Sequence, residues 1–144
     1  MRANVFATRL LAFVLFALPA AAQWTDFGGG VVGWTGHPIG LVCQGTLEPG
    51  SELLIWSYYG PQYDAAFLII GASACNLPFK GGVMVPQPDH VSLLGFDGLA
   101  NAHLFVDWPA GVPAGSELWW QVWSPDATAA QGWSASNALK CVTP

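Results

Sequence analysis

The residues of this sequence whose types and spacing could do chemistry are aromatic. The segment E-L-W-W-Q-V-W at 117–123 predicts a strand, in which successive side chains point to opposite faces. Trp119 and Trp123 therefore share one face, with their indoles about 13 Å apart. Exposed indoles can stack on sugar rings or form an apolar contact with a protein. Trp56, which lies close to Tyr58 in the sequence, could extend such a surface.

A structural role for the same tryptophans is the alternative. Large exposed apolar patches are uncommon on soluble proteins, and loops can fold over the second face of a sheet. The sequence leaves both interpretations open for Trp56, Trp119 and Trp123.

Two motifs resemble catalytic signatures but lack the context that those signatures need. G-G-G-V-V-G at 28–33 matches G-x-G-x-x-G, yet the W-T-G-H-P that follows cannot begin the helix that binds a pyrophosphate. G-A-S-A-C at 71–75 approaches the G-x-S-x-G elbow of hydrolases but ends in cysteine. His37, His90 and His103 are scattered along the chain. We therefore expect a protein that is not an enzyme, with a hydrolase as the least favoured alternative.

The sequence predicts no metal site and no cofactor. It has no C-x-x-C pair of the kind that binds zinc. Its nine carboxylates are isolated, often beside Pro or Gly where turns favour them, and never form a dense calcium-binding loop motif. Calcium remains an open question only where loops could gather several oxygens.

The N-terminus has the pattern of an export signal. The first nine residues carry two arginines, residues 10–18 are an unbroken apolar run, and residues 19–22 read P-A-A-A. The run is about half of the ~20 residues that a membrane helix needs. We expect a signal peptide over residues 1–22, a single domain over residues 23–144 and no membrane span after cleavage. The protein would act outside the cell, or in the periplasm and envelope.

Charge narrows the choice of partners. Residues 23–144 contain two lysines and nine carboxylates, a formal net charge of −7. Nucleic acid is excluded as a partner, because its recognition requires a cationic surface. An extracellular protein or a polysaccharide remains. Self-association is also expected as an alternative, because so few charges are present to protect exposed strand edges.

Three cysteines can form one disulfide, which leaves one thiol unpaired. Export to an oxidising compartment favours a bridge, and three pairings are open. Cys43 and Cys141 lie in apolar segments near the two ends of residues 23–144, whereas Cys75 lies in a loop-like G-A-S-A-C-N segment. We favour Cys43–Cys141.

The pattern of apolar runs predicts an all-β fold. Short runs alternate with Pro and Gly turns, and none keeps the 3.6-residue period of a helix. The clearest strands are residues 52–58, 65–71 and 116–123, while residues 77–82 are predicted to be a loop. The even spacing of the turns predicts an antiparallel β-sandwich, jelly-roll or Ig-like, of about eight or nine strands.

Residues 33–144 resemble a family of short secreted proteins and C-terminal modules that is frequent in planctomycetes and similar environmental bacteria. The matching segments are residues 45–51, 65–71, 77–82, 85–89, 109–113, Gln121, 136–139 and 143–144. The resemblance implies an all-β extracellular module without an established activity, and it carries no functional residues over. From the residues themselves we expect a structural or interaction module. A carbohydrate-binding module that uses Trp56, Trp119 or Trp123 is the alternative.

Overall fold

A computed structural model describes residues 23–144, and the predicted signal peptide lies outside the described residues. This part of the chain forms eleven strands and no helix, so no helix within it could cross a membrane. In chain order the strands are β1 (Gln23–Asp26), β2 (Gly40–Gln44), β3 (Glu52–Tyr58), β4 (Ala65–Gly71), β5 (Ala74–Phe79), β6 (Gly82–Pro86), β7 (His90–Gly95), β8 (Asn101–Asp107), β9 (Glu117–Pro125), β10 (Trp133–Ala135) and β11 (Leu139–Val142).

Two antiparallel sheets form the body of the molecule. The larger sheet has the order β1-β11-β9-β4-β7, with β10 also paired to β9, and the smaller has the order β2-β3-β8. Strands β5 and β6 form a separate hairpin. The predicted all-β, antiparallel sandwich is confirmed, with eleven described strands instead of eight or nine.

The main core lies between the two sheets because their strands alternate apolar and exposed side chains. On β3, Leu53 and Ile55 are buried, whereas the next residue, Trp56, points outward. Leu68 of β4 and Val122 of β9 enter the same cluster from the larger sheet. Burying one such aliphatic side chain stabilises the fold by about 1.5–3 kcal/mol.

The β5–β6 hairpin stands where the sequence predicts a loop over residues 77–82. Lys80 and Gly81 at its tip have φ values of 45° and 82°. Positive φ at both central residues is the requirement of the type I′ turn, one of the two-residue turns that join antiparallel strands. Pro78 argues against a strand in the sequence, because proline cannot donate a backbone hydrogen bond to a sheet. It is tolerated here because β5 pairs only with β6 and has a free edge.

A fully buried glutamine fixes this hairpin onto the larger sheet. The Gln121 Nε2 donates hydrogen bonds to the Val83 carbonyl at 3.1 Å and the Ser136 carbonyl at 3.2 Å. Its Oε1 accepts from the Val85 amide at 3.0 Å. The side chain of β9 thus satisfies backbone groups of β6, and the hairpin is held over the outer face of the larger sheet.

Candidate functional site

Trp123 is covered by the hairpin and does not reach the surface. It is 1% exposed and packs against Phe79, with the two rings edge-on and their centroids 5.0 Å apart. Val31 and Ile69 complete this second, smaller core. Trp123 is therefore removed from the candidate ligand contacts, because the hairpin closes the face on which it lies.

Trp119 lies further along the same face and is half-buried. The Phe27 ring covers it from one side, with centroids 4.8 Å apart. The Lys140 Nζ lies 5.5 Å from the centroid of the Trp119 ring and also forms an ion pair with Glu117 at 2.9 Å. The Phe27 ring and the Lys140 ammonium group thus already contact the Trp119 ring.

Trp56 lies on the outer face of the smaller sheet and is 36% exposed. His103 is directly opposite on β8, and the two rings are nearly parallel, 7° apart, with centroids separated by 5.9 Å. The Trp56 Nε1 donates a hydrogen bond to the Asn101 Oδ1 at 3.0 Å. One contact fixes the face of the indole and the other fixes its edge, so the ring is held in position.

Tyr58 lies next to Trp56 on the same face of the sheet, at the end of β3. Gly40 of β2 is its cross-strand partner, and a Cβ atom at Gly40 would collide with the Tyr58 ring. The missing side chain at Gly40 thus lets the phenol ring lie over β2. The Tyr58 ring centroid is 5.1 Å from that of Trp56 and 5.0 Å from that of Tyr59.

Tyr59 is held in a left-handed backbone conformation, with φ of 63°. This conformation costs a non-glycine residue about 1–2 kcal/mol. Its ring is 51% exposed and stacks on His37, with centroids 5.6 Å apart. The following residue, Gly60, is fixed in turn, because its carbonyl accepts a 2.6 Å hydrogen bond from the Trp34 Nε1.

These side chains form one continuous row, with successive ring centroids 5.0–5.9 Å apart, which we call the aromatic face. Its members, in spatial order, are His103, Trp56, Tyr58, Tyr59 and His37. An open groove of about 470 Å³ adjoins the tyrosine end of the row. Gly28, Gly29, Gly30 and Asn137 line the groove beside the rings, so backbone and amide groups lie next to the aromatic surface.

The aromatic face carries no lysine. The lysines of residues 23–144 lie elsewhere, with Lys80 in the hairpin turn and Lys140 on β11 of the larger sheet. Glu52 and Asp107 are cross-strand partners at the far end of the β3–β8 pair. A neutral ligand suits this electrostatic setting better than an anion, because carboxylates border the face and no cation lies on it.

One histidine contacts a serine. The His90 Nε2 and the Ser92 Oγ lie 2.8 Å apart on the exposed edge strand β7. A serine–histidine catalytic pair also needs a carboxylate that orients the imidazole. Among residues 23–144 no carboxylate is hydrogen-bonded to His90, and no three side chains of the metal-ligating types gather at one point.

Cys43 and Cys141 are buried free thiols that enter the core from opposite sheets. Burial raises the pKa of the Cys43 thiol well above its usual range, and the nearby Cys141 raises it further. Burial also raises the pKa of Cys141, although a 3.3 Å hydrogen bond from the Trp120 Nε1 opposes this effect. The structure thus brings together the two cysteines favoured for the disulfide, while Cys75 lies apart on the hairpin. The bridge itself stays a prediction.

The sequence alone points to Trp56 but not to His37 and His103, which are far apart along the chain. The alternation along β8 does group His103 with Phe105 on one face. The contact of His103 with Trp56 depends on the β3–β8 register, which no local pattern reveals.

Comparison with known proteins identifies no relative. A scan against protein-family models, a search of curated proteins and a search of solved structures each found no match. The resemblance to secreted planctomycete modules therefore stays a prediction, and a function must be argued from the site.

Proposed function

We propose that this protein is a non-catalytic binding module that acts outside the cell or in the cell envelope and binds a neutral polysaccharide through its aromatic face. The observation that carries the proposal is the continuous row of five rings on the outer face of the β2-β3-β8 sheet. The evidence for export remains the pattern of residues 1–22.

The chemistry of the row favours a sugar chain. The C–H groups of a pyranose pack against an aromatic ring, while its hydroxyl groups need hydrogen-bond partners at the ring edges. Asn101 and the imidazole of His103 lie beside Trp56, and Asn137 lines the groove beside Tyr58 and Tyr59. Because the row presents several rings in succession, it suits a polymer better than a single sugar.

The charge of the domain favours a neutral polymer over an acidic one. Residues 23–144 carry a net charge of −7, and neither of their lysines lies on the aromatic face. A uronic-acid polymer would approach a surface of its own sign. Electrostatic repulsion would slow its association and weaken its binding.

A protein partner is the second candidate, favoured by a specific observation. Leu54 and Phe105 are cross-strand neighbours that extend the aromatic face with apolar surface, and Phe105 is 60% exposed. Aromatic and aliphatic side chains that together form a contiguous patch are typical of protein contacts.

Affinity electrophoresis tests the proposal. The purified protein is run through native gels that contain xylan, glucomannan, laminarin or hydroxyethyl cellulose, with polygalacturonate as the acidic comparison. At least one neutral polymer should retard the protein, and Trp56→Ala should weaken that binding by tenfold or more. Trp119→Ala is the matched control and should bind as the parent does. Equal retardation of both variants, or retardation by none of the neutral polymers, would contradict the proposal and leave the protein-contact alternative.

A further inference from the structure

An apolar pocket of about 340 Å³ opens between the two sheets, on the side where β7 and β8 form their edges. Leu53 and Ile55 of β3, Leu68 of β4 and Trp120 of β9 line its buried part. The Trp120 Nε1 donates to the Cys141 Sγ, so that polar group is already paired. The deep part of the pocket therefore offers a ligand only apolar contacts.

Polar side chains gather at the outer end of the same pocket. His90 and Ser92 of β7 line it; His90 is exposed, whereas Ser92 is half-buried. The 2.8 Å contact between His90 and Ser92 holds these two side chains together at the opening. An apolar floor below a polar opening matches a molecule with an alkyl chain and a hydrogen-bonding headgroup.

The volume sets the length of that chain. A protein cavity of about 150 Å³ holds one benzene molecule, so a pocket of 340 Å³ has room for roughly ten to fourteen carbon atoms. The net charge of −7 over residues 23–144 disfavours an anionic headgroup. A hydroxyl-bearing neutral headgroup can exchange hydrogen bonds with Ser92 and His90.

From this geometry we infer that the pocket binds a neutral single-chain amphiphile, with an alkyl chain of about ten to twelve carbons between the sheets and a hydroxylated headgroup at His90 and Ser92. This site is separate from the aromatic face. Alternation along β3 directs Trp56 outward and Leu53 and Ile55 inward, so one strand serves the two sites on opposite faces.

Isothermal titration calorimetry with monoacylglycerols tests this inference on the purified protein. Below its micellar concentration, 1-decanoylglycerol should bind saturably at one site, at least tenfold more tightly than 1-butanoylglycerol. Sodium decanoate should bind more weakly than 1-decanoylglycerol, because the protein carries a net negative charge. Absence of saturable binding by 1-decanoylglycerol, or a decanoate affinity that is equal to it, would overturn the assignment.

Variants locate the binding. Val106 lines the pocket and is 38% exposed, so Val106→Phe places a bulkier, aromatic side chain there. This variant should weaken 1-decanoylglycerol binding at least tenfold. Val91→Phe is the matched control, because Val91 alternates with His90 and Ser92 and faces away from the pocket on β7. Leu104→Phe supplies a second blocking variant should Val106→Phe unfold. Equal binding by a folded blocking variant and the control would reject this location. Retardation by a neutral polysaccharide should be unaffected in all three, so the two sites fail or succeed independently.

Discussion

Tyr59 combines a strained backbone with a ring in the proposed contact surface. Its left-handed backbone is a conformation that glycine adopts at no steric cost, yet the position carries a ring that joins Tyr58 to His37. Strained residues of this kind are concentrated at functional sites. Tyr63 has a similar φ of 58° but lies off the aromatic face and is 83% exposed.

Tyr59→Gly should separate the two properties. Relief of backbone strain offsets the lost stacking and the added chain entropy, so the free energy of unfolding should change by less than about 1 kcal/mol. Affinity for the neutral polysaccharide should fall at least threefold, because the row is interrupted. Urea unfolding and affinity electrophoresis measure these two effects. Tyr63→Gly relieves the same strain and should bind normally, so an equal loss of binding in both variants would be the contrary result.

Asp126 makes stability depend on acid. Its carboxylate is 4% exposed and accepts hydrogen bonds from the Trp34 amide at 2.9 Å, the Thr128 amide at 3.0 Å and the Thr128 hydroxyl at 2.6 Å. Burial acts to raise the pKa of Asp126, but these hydrogen bonds together outweigh it and hold the pKa below its usual range. The charged form is therefore favoured in the folded state.

Because the folded pKa of Asp126 lies below the unfolded value of about 3.9, its contribution is complete above pH 4 to 5 and is lost as the pH falls through the folded pKa. Asp126→Asn should lower the free energy of unfolding by about 1–3 kcal/mol at pH 7, since an amide cannot accept all these bonds. The difference from the parent should shrink below pH 4. Urea titrations from pH 7 to pH 3 measure it, and a constant difference would show that the ionised form is not favoured.

At the scale of elements, the sequence predicts where strands begin and end better than it predicts which face of a sheet is buried. Strands β3 and β4 match residues 52–58 and 65–71 residue for residue, because long apolar runs end at clear turn signals. The sequence predicts a loop over residues 77–82 where part of β5 lies, so it leaves open whether Trp123 is covered, which the hairpin decides. Which face of a sheet is covered is a property of tertiary contacts, and a pattern of period two cannot reveal it.

Gln121 is the side chain on which the hairpin depends. Gln121→Leu keeps the volume but leaves the Val83 carbonyl and the Val85 amide without their partner. Buried unpaired groups of this kind cost about 1–3 kcal/mol each. The free energy of unfolding, measured with urea, should therefore fall by about 2–4 kcal/mol. Gln44→Leu at the exposed end of β2 is the control and should stay within about 0.5 kcal/mol of the parent.

Detachment of the hairpin has its own signature. If Gln121 holds β6 over Trp123, loss of the anchor lets water reach the indole, and the tryptophan emission should shift to the red in native buffer. A Gln121→Leu protein with parental stability and parental emission would show that apolar packing by Phe79 suffices to hold the hairpin.

At the scale of the whole molecule, two thin sheets must be kept together around one core. Cys43 on β2 and Cys141 on β11 lie on the two sides of that core, so a bridge between them would join the sheets directly. It would also close a loop that spans most of the domain. Cross-links of long loops typically stabilise a protein by about 2–4 kcal/mol, chiefly by restricting the unfolded chain.

Mass spectrometry of a non-reduced digest should recover a Cys43–Cys141 peptide from protein exported to an oxidising compartment, with Cys75 free to react with iodoacetamide. Reduction should then lower the free energy of unfolding by about 2–4 kcal/mol. Cys75→Ser should leave both results unchanged. A bridge that contains Cys75, or alkylation of all three thiols in the exported protein, would contradict this pairing.

Two-dimensional NMR of the tryptophan side chains tests most directly whether the aromatic face is the site of polysaccharide contact. Every indole N–H of the eight tryptophans gives its own signal, and Trp56→Phe assigns the one of interest. On titration of the purified protein with neutral hexasaccharides of glucose, xylose or mannose, the Trp56 signal should shift saturably with at least one sugar. The signals of buried Trp123 and of Trp119 on the other sheet should stay in place. A saturable shift of Trp119 without Trp56, or no shift of Trp56 with any of these sugars, would contradict the account.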